Sequence, residues 1–275
     1  WDSLHIGVGD VIRISDDELY MYYLGGSHEV VEGIMPGMSL AGFRMRIGRA
    51  RSLDQGRTWE KEGIVLDLDD SEGLFASWPR IVRPNDDKNN NSDGGGDDEP
   101  WQMIYHTYDG SRWKVYGATS TDQGKTWKRK GLLLEGGSSN DSFDLQGIGT
   151  RALAPWKNGM LMIYEGVDSK QKHNFGAAFC SDPNGAGSWT KIKDIDGFQQ
   201  EGGPVAQPGR KPMGPWTTLI IGTPYLVNMP DGSLRLYHCG KESMEKGHAI
   251  GLMISDTGEI SPDAWKPAMV GADHE

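Results

Sequence analysis

One pattern occurs four times along this chain of 275 residues. Each copy has a tyrosine-rich apolar stretch, then a stretch of small residues, then a turn that ends in tryptophan. The two clearest turns read Ser-x-Asp-x-Gly-x-Thr-Trp, at 52–59 and 120–127, and looser versions lie at 181–189 and 255–265. Repeats of roughly 60–75 residues, each with about four short strands, are typical of radial β-architectures. The pattern therefore predicts an all-β fold, a β-propeller.

The apolar segments of each repeat predict paired strands. They are short, β-rich and bounded by turn residues, and no segment predicts a helix longer than a turn or two. The segments lie at 7–14 with 19–24, 78–83 with 101–106, 149–153 with 160–165, and 222–227 with 234–239. We predict one domain over residues 1–275, with four visible repeats at about 4–70, 71–136, 143–197 and 216–270.

Two segments interrupt the repeats. Residues 85–100 are dominated by Asn, Asp and Gly, a composition that buries little apolar surface and predicts a mobile hairpin tip. Residues 198–215 are rich in Gly and Pro and predict a long connection over one face, with a plain linker favoured over a lid.

The Ser-x-Asp-x-Gly-x-Thr-Trp segments are interpreted as folding devices. An aspartate at this position hydrogen-bonds its own turn, the glycine supplies a positive φ, and the tryptophan packs the turn onto the sheet. We therefore expect Asp54 and Asp122 to be structural rather than catalytic.

Charge and cysteine content exclude several function classes. The net charge of −11 argues against a nucleic-acid or anionic-membrane partner, and no apolar run is long enough for membrane insertion. Cys180 and Cys239 predict free thiols, and no Cys/His spacing predicts a metal site, so no cofactor is expected. The start at Trp1 predicts a processed or trimmed N-terminus, which leaves an organellar or a secreted location open and the compartment undecided.

Two stretches carry a family resemblance. Residues 105–110 followed by 116–120, and 222–227 with 231–240, resemble blades of the five-bladed β-propeller glycosidases. This superfamily includes arabinanases, levansucrases, invertases and β-mannoside phosphorylases, and the last are the most similar in motif. The resemblance runs from Ile6 to about Ile260. It implies a propeller of the five-bladed type that acts on carbohydrates at a central funnel, as a hydrolase or a phosphorylase.

The resemblance also implies catalytic carboxylates, since glycoside hydrolysis uses a pair of them. At three positions where it places acids, this chain has Val8-Gly9, Trp78 and Gly222-Thr223. The remaining candidates for acid/base catalysis are Glu165 and Asp10. The candidates for substrate binding are Arg80, Arg151, His106, His238, Tyr225 and Trp78.

The predicted binding residues occupy matching places in different repeats. Arg80 and Arg151 lie on first strands, whereas His106, Glu165 and His238 each follow a tyrosine on second strands. We expect a ring of these side chains near the axis that binds a saccharide or another small polar ligand. The alternative for the arginines is pairing with neighbouring carboxylates that holds blades together.

Two functions stay open at this point. One is a carbohydrate-active enzyme that works through Glu165 or Asp10. The other is a propeller that has lost glycosidase chemistry and binds a ligand or a protein partner. Fold alone does not separate them, because propellers have many functions.

Overall fold

The computed structural model describes residues 1–35, 38–84, 99–192, 205–207, 213 and 217–268. Within these residues the regular structure is β-strand except for short turns such as the 3-10 turn Pro262–Ala264, which confirms the all-β prediction. No helix in the described ranges is long and apolar enough to cross a membrane. Most of the 85–100 insert and of the 198–215 connection lies outside the described residues.

The chain divides into two compact units, Trp1–Glu135 and Gly136–Glu275. Each unit contains two of the four predicted repeats. In each repeat four strands pair antiparallel with one another, and these groups of four strands are named sheets 1 to 4 in chain order. The prediction of a single domain over the whole chain stays a prediction.

Unit 1 contains sheets 1 and 2 and a short hairpin. Sheet 1 has the order β1-β2-β5-β6, and in sheet 2 successive strands β7 to β10 pair with one another. The strands are β1 His5–Arg13, β2 Leu19–Gly26, β3 Val30–Met35, β4 Met38–Ala41, β5 Arg46–Ser52, β6 Glu60–Leu66, β7 Ser77–Val82, β8 Trp101–Tyr108, β9 Trp113–Ser120 and β10 Lys128–Glu135, with β3 and β4 forming the hairpin.

Unit 2 contains sheets 3 and 4, in which successive strands also pair. Sheet 3 comprises β11 to β14 and sheet 4 comprises β15 to β18. The strands are β11 Gly147–Trp156, β12 Gly159–Val167, β13 His173–Cys180, β14 Thr190–Lys191, β15 Ile220–Asn228, β16 Leu234–Lys241, β17 Ala249–Ser255 and β18 Lys266–Pro267.

An apolar layer between its two sheets forms the core of each unit. In unit 1 the layer includes Tyr22 and Met103, and in unit 2 it includes Ile163, Phe175 and Leu236, all fully buried. Burying a side chain of this size contributes about 2 kcal/mol. Pairing of the two sheets within each unit therefore depends on these layers.

The first strand of every sheet contains a bulge. The register shifts between Val8 and Asp10, Ser77 and Arg80, Ile148 and Arg151, and Gly222 and Tyr225. Bulges of this kind re-aim side chains and are common beside active sites.

These bulges define which residues are equivalent in the last three sheets. The residue opposite the bulge is Tyr105 in sheet 2, Glu165 in sheet 3 and His238 in sheet 4. The register thus aligns Tyr105, not His106, with Glu165 and His238. Arg80 and Arg151 do match, because each is the first residue after its bulge.

The tryptophan turns are held by their aspartates, as the sequence predicts. Asp122 accepts hydrogen bonds from the Thr126 backbone N–H (2.9 Å), the Thr126 hydroxyl (2.6 Å) and the Ser120 hydroxyl (2.7 Å). Trp127 Nε1 donates to the Gly124 carbonyl (3.1 Å). Partial burial alone would raise the pKa of Asp122, but the bonds from Thr126 and Ser120 outweigh it and lower that pKa to about 2.

We expect Asp122→Ala to lower the free energy of unfolding by about 1 kcal/mol at pH 7, because four donors, including the Lys125 N–H, lose their acceptor. A depressed carboxyl pKa stabilises the fold above the unfolded-state pKa and loses this effect as pH falls. The difference from wild type should therefore shrink between about pH 4 and pH 2. Urea unfolding across this range measures it, with the exposed Asp141→Ala as control. Equal loss in both variants would contradict the prediction.

Candidate functional site

The predicted site residues fall into two groups, one in each unit. Unit 1 contains Asp10, Trp78, Arg80 and His106, whereas unit 2 contains Arg151, Glu165, Tyr225 and His238.

Asp10 connects the first strands of sheets 1 and 2. One carboxylate oxygen accepts a hydrogen bond from the Ile81 N–H (2.9 Å), and the other from the Val11 N–H (3.0 Å). Arg80 Nη1 donates to the Gly9 carbonyl (2.5 Å) and lies 3.9 Å from Asp10 Oδ1. Burial raises the pKa of Asp10, and the Arg80 charge opposes that rise. These contacts support the structural alternative for Arg80 and give Asp10 a structural role as well.

His106 lies in an aromatic cluster of unit 1. Its side chain is buried, and its ring centroid is 5.4–5.8 Å from those of Phe75, Trp78 and Trp113. Trp78 is partly exposed and adopts φ 48° directly before Pro79. Positive φ is uncommon for a bulky residue, and such strain is concentrated at functional sites.

Glu165 lies where the apolar layer of unit 2 ends. It pairs with Phe175 in the β12–β13 register and shares a face with Ile163, and both of these neighbours are fully buried. The Glu165 side chain itself is 13% exposed. The layer thus changes from apolar to ionisable within two residues of one strand.

Three groups contact the Glu165 carboxylate. His173 Nδ1 lies 2.5 Å from Oε1, the Thr150 hydroxyl donates to Oε2, and the Thr223 N–H lies 3.1 Å from Oε2. The Thr223 N–H also lies 3.2 Å from the Thr150 hydroxyl oxygen. We call Glu165, His173, Thr150 and Thr223 the Glu165 cluster. It is built from β11, β12, β13 and β15, so both sheets of unit 2 contribute to it.

The bulge of β15 encloses this carboxylate. A Cβ atom on Gly222 would lie 3.1 Å from both Glu165 carboxylate oxygens, so any side chain here would displace the carboxylate by a few tenths of an ångström. Thr223 adopts φ 48° before Pro224, the same arrangement as Trp78 before Pro79. A β-branched residue in this region is strained, and here the strain directs its N–H toward Glu165.

The other candidates of unit 2 have different positions relative to Glu165. His238 lies in the same layer, with its ring centroid 6.0 Å from that of Phe175, and burial lowers its pKa. Arg151 pairs with Tyr164 and is buried on the opposite face of sheet 3 from Glu165. Tyr225 pairs with Tyr237 and is half exposed on the opposite face of sheet 4 from His238. Sheet 3 therefore does not combine Arg151 and Glu165 on one surface.

His173, Thr150 and Thr223 were not among the site residues predicted from the sequence. His173 follows Glu165 across a tight turn closed by Asp168 and Lys172, and Val167 pairs with His173. Diagonal neighbours on one face of a hairpin are within reach of long side chains, so correct hairpin register would have revealed His173. Among the described residues no group of three or more His, Cys, Asp or Glu side chains is arranged to bind a metal ion.

Known proteins resemble this chain in structure but not detectably in sequence. No family profile matches the chain, and no curated protein matches it. A glycosyl hydrolase from Bacteroides ovatus superposes with a TM-score of 0.63 at 17% identity, over 96% of this chain and 70% of that one. A family 117 glycoside hydrolase of Zobellia galactanivorans gives 0.64 at 14% identity, over 96% and 69%.

A third similar structure belongs to a study of family 130, the mannoside phosphorylases. That family contains glycoside hydrolases that target β-1,2 mannosidic linkages in Candida mannan. The TM-score of this third structure is 0.60 at 17% identity, over 93% of this chain and 68% of that one. These neighbours belong to the five-bladed β-propeller glycosidase superfamily. The fold of this chain is therefore of that propeller type, as the sequence predicts.

The strained threonine gives a stability prediction. Glycine tolerates positive φ, so Thr223→Gly should keep the N–H near Glu165 and raise the free energy of unfolding by about 1 kcal/mol. Thermal or urea unfolding measures the change. The control is Thr190→Gly, in the exposed strand β14 without positive φ, which should lower stability. A loss of stability in Thr223→Gly as large as in the control would contradict the prediction.

Proposed function

We propose that this chain cleaves a glycosidic bond, as a hydrolase or a phosphorylase, at the Glu165 cluster. The observation that carries the proposal is a largely buried carboxylate held by three donors at two bulges, in a chain with a glycosidase-type propeller fold. An ionisable group at the end of an apolar layer is costly to retain unless it is used or fully paired. Here two of its partners, Thr223 and His173, are themselves partly or largely exposed.

The cluster offers the chemistry that glycoside cleavage needs. Such cleavage requires proton transfer to the leaving oxygen and activation of water or phosphate, and each step is assisted by a positioned acid or base. Glu165 and His173 are the ionisable members of the cluster. Thr150 and the Thr223 N–H fix the carboxylate, which keeps the pair in one geometry.

The remaining candidates are assigned supporting roles in binding. In unit 2, His238 borders the layer that ends at Glu165, and Tyr225 has exposed aromatic surface on the other face of sheet 4. In unit 1, Trp78 has exposed aromatic surface on which a sugar ring could stack. Arg80 and His106 in unit 1 and Arg151 in unit 2 are largely buried, so we assign each to packing within its own unit rather than to direct contact with a saccharide.

Asp10 is a second candidate for a proton donor in unit 1. Its raised pKa suits a general acid, since such residues are tuned toward the working pH by burial. Its bonds to Ile81 and Val11 favour the structural role instead. Asp10→Asn separates the two: the catalytic role requires loss of turnover without loss of stability.

The alternative function is a propeller without catalysis that binds a saccharide or a protein partner. Its support is the set of residues at the expected acid positions, Val8, Trp78 and Thr223. A saccharide-binding scaffold would show ligand-dependent stabilisation without turnover, because a ligand that binds only the folded state raises the melting temperature.

A substrate screen tests the proposal. The panel contains β-1,2-linked mannooligosaccharides, arabinans and fructans, each with and without phosphate. We expect turnover of one class, and Glu165→Gln should lower kcat by about 100-fold or more, because it breaks up the Glu165–His173 pair and acid/base groups contribute this much. The control is Glu60→Gln, an exposed carboxylate on β6 outside the cluster. Turnover that Glu165→Gln leaves intact, or stabilisation without any turnover, would contradict the proposal.

A further inference from the structure

We infer that His173 is the group that exchanges a proton with the saccharide, and that Glu165 is a positioning residue that acts through it. The inference rests on the proposed function and assigns roles within the Glu165 cluster.

The two nitrogens of His173 have different environments. Nδ1 lies 2.5 Å from Glu165 Oε1, whereas Nε2 has no hydrogen-bond partner among the described residues. The side chain is 29% exposed, compared with 13% for Glu165. A carboxylate bound to one ring nitrogen fixes the tautomer and orients the other nitrogen.

Glu165 is less able to reach a substrate. Its Oε2 already accepts from the Thr150 hydroxyl and lies near the Thr223 N–H, and its Oε1 binds His173. An ionised carboxylate only accepts hydrogen bonds, so this arrangement provides no proton to donate. Of the two ionisable members of the cluster, the imidazole is the more exposed.

The proton balance of hydrolysis is complete with this assignment. The imidazolium gives its Nε2 proton to the glycosidic oxygen as the bond from that oxygen to the anomeric carbon breaks. Water forms the new bond to that carbon and loses one proton to solvent, and solvent returns one proton to Nε2. The products carry one new hydroxyl each, and Glu165 remains ionised throughout.

Sequence position explains why this histidine is available. His173 opens β13, directly after the turn closed by Asp168 and Lys172, so it lies at the end of the strand rather than inside the buried layer. His238 lies in the same layer but is 3% exposed, and its Nδ1 faces the Cys239 carbonyl at 3.2 Å. Of these two histidines, only His173 is both partly exposed and hydrogen-bonded to a carboxylate.

Three variants test the inference on the saccharide that the wild type turns over. His173→Gln should lower kcat by about 100-fold while KM changes less than about threefold, because glutamine fills similar space without carrying a transferable proton. His173→Gly should show the same loss, and added imidazole should restore kcat at least about tenfold. Glu165→Gln keeps the ring in place, so imidazole should restore nothing. The control is His28→Gln, an exposed histidine outside the cluster, which should match the wild type.

Each outcome decides the inference. Equal kcat in His173→Gln and wild type overturns it, as does rescue of Glu165→Gln by imidazole. Where melting shows that His173→Gly is unfolded, the kcat of His173→Gln decides alone. Failure of the proposed function looks different, because the wild type then turns over none of the saccharides.

Discussion

The bulge in the first strand of each sheet is the constraint on which the candidate site depends. A regular antiparallel register would direct alternate residues of the first strand to fixed faces. The extra residue shifts that alternation and brings Thr150 of β11 and Thr223 of β15 to the Glu165 carboxylate. Without the two bulges, Thr150 and Thr223 would not contact the carboxylate, and His173 would be its one remaining partner among these three.

The energetics of this position explain its composition. Burying a carboxylate without partners costs several kcal/mol, whereas hydrogen bonds to a charged group recover about 1.5–3 kcal/mol each. Three donors offset the cost at Glu165, and the absence of a side chain at Gly222 makes room for the carboxylate. The Thr223 backbone that supplies one of these donors is itself strained, with φ 48°, and proteins retain strain of this kind at functional sites.

Local chemistry made much of the fold predictable from the sequence. The tryptophan turns depend on residues within eight positions, so Asp54 and Asp122 were recognisable as structural from their spacing alone. Repeat length and tyrosine-rich segments predicted four groups of paired strands, and each repeat forms one such group. The five-bladed type came from the resemblance, and structural similarity supports it.

The site was harder to predict because it depends on register. Matching His106 with Glu165 relied on the preceding tyrosines, and the bulge opposite Tyr105 moves His106 by one residue. The sequence predicted that Arg151 and Glu165 line one ring. Arg151 pairs with Tyr164, however, so the alternation of side chains along β12 places Arg151 and Glu165 on opposite faces of sheet 3. Asp10 was a candidate for acid/base catalysis and Arg80 for substrate binding, and their hydrogen bonds connect β1 to β7. These side-chain positions follow from strand register and from contacts between distant strands, which the sequence alone does not specify.

The central claim is that a saccharide binds at the exposed edge of the Glu165 cluster. The most direct measurement is a crystal structure of the wild-type chain with the saccharide that raises its melting temperature most. The account predicts a sugar oxygen within hydrogen-bond distance of His173 Nε2, about 2.7–3.2 Å. A saccharide bound with His173 and Glu165 untouched would contradict it.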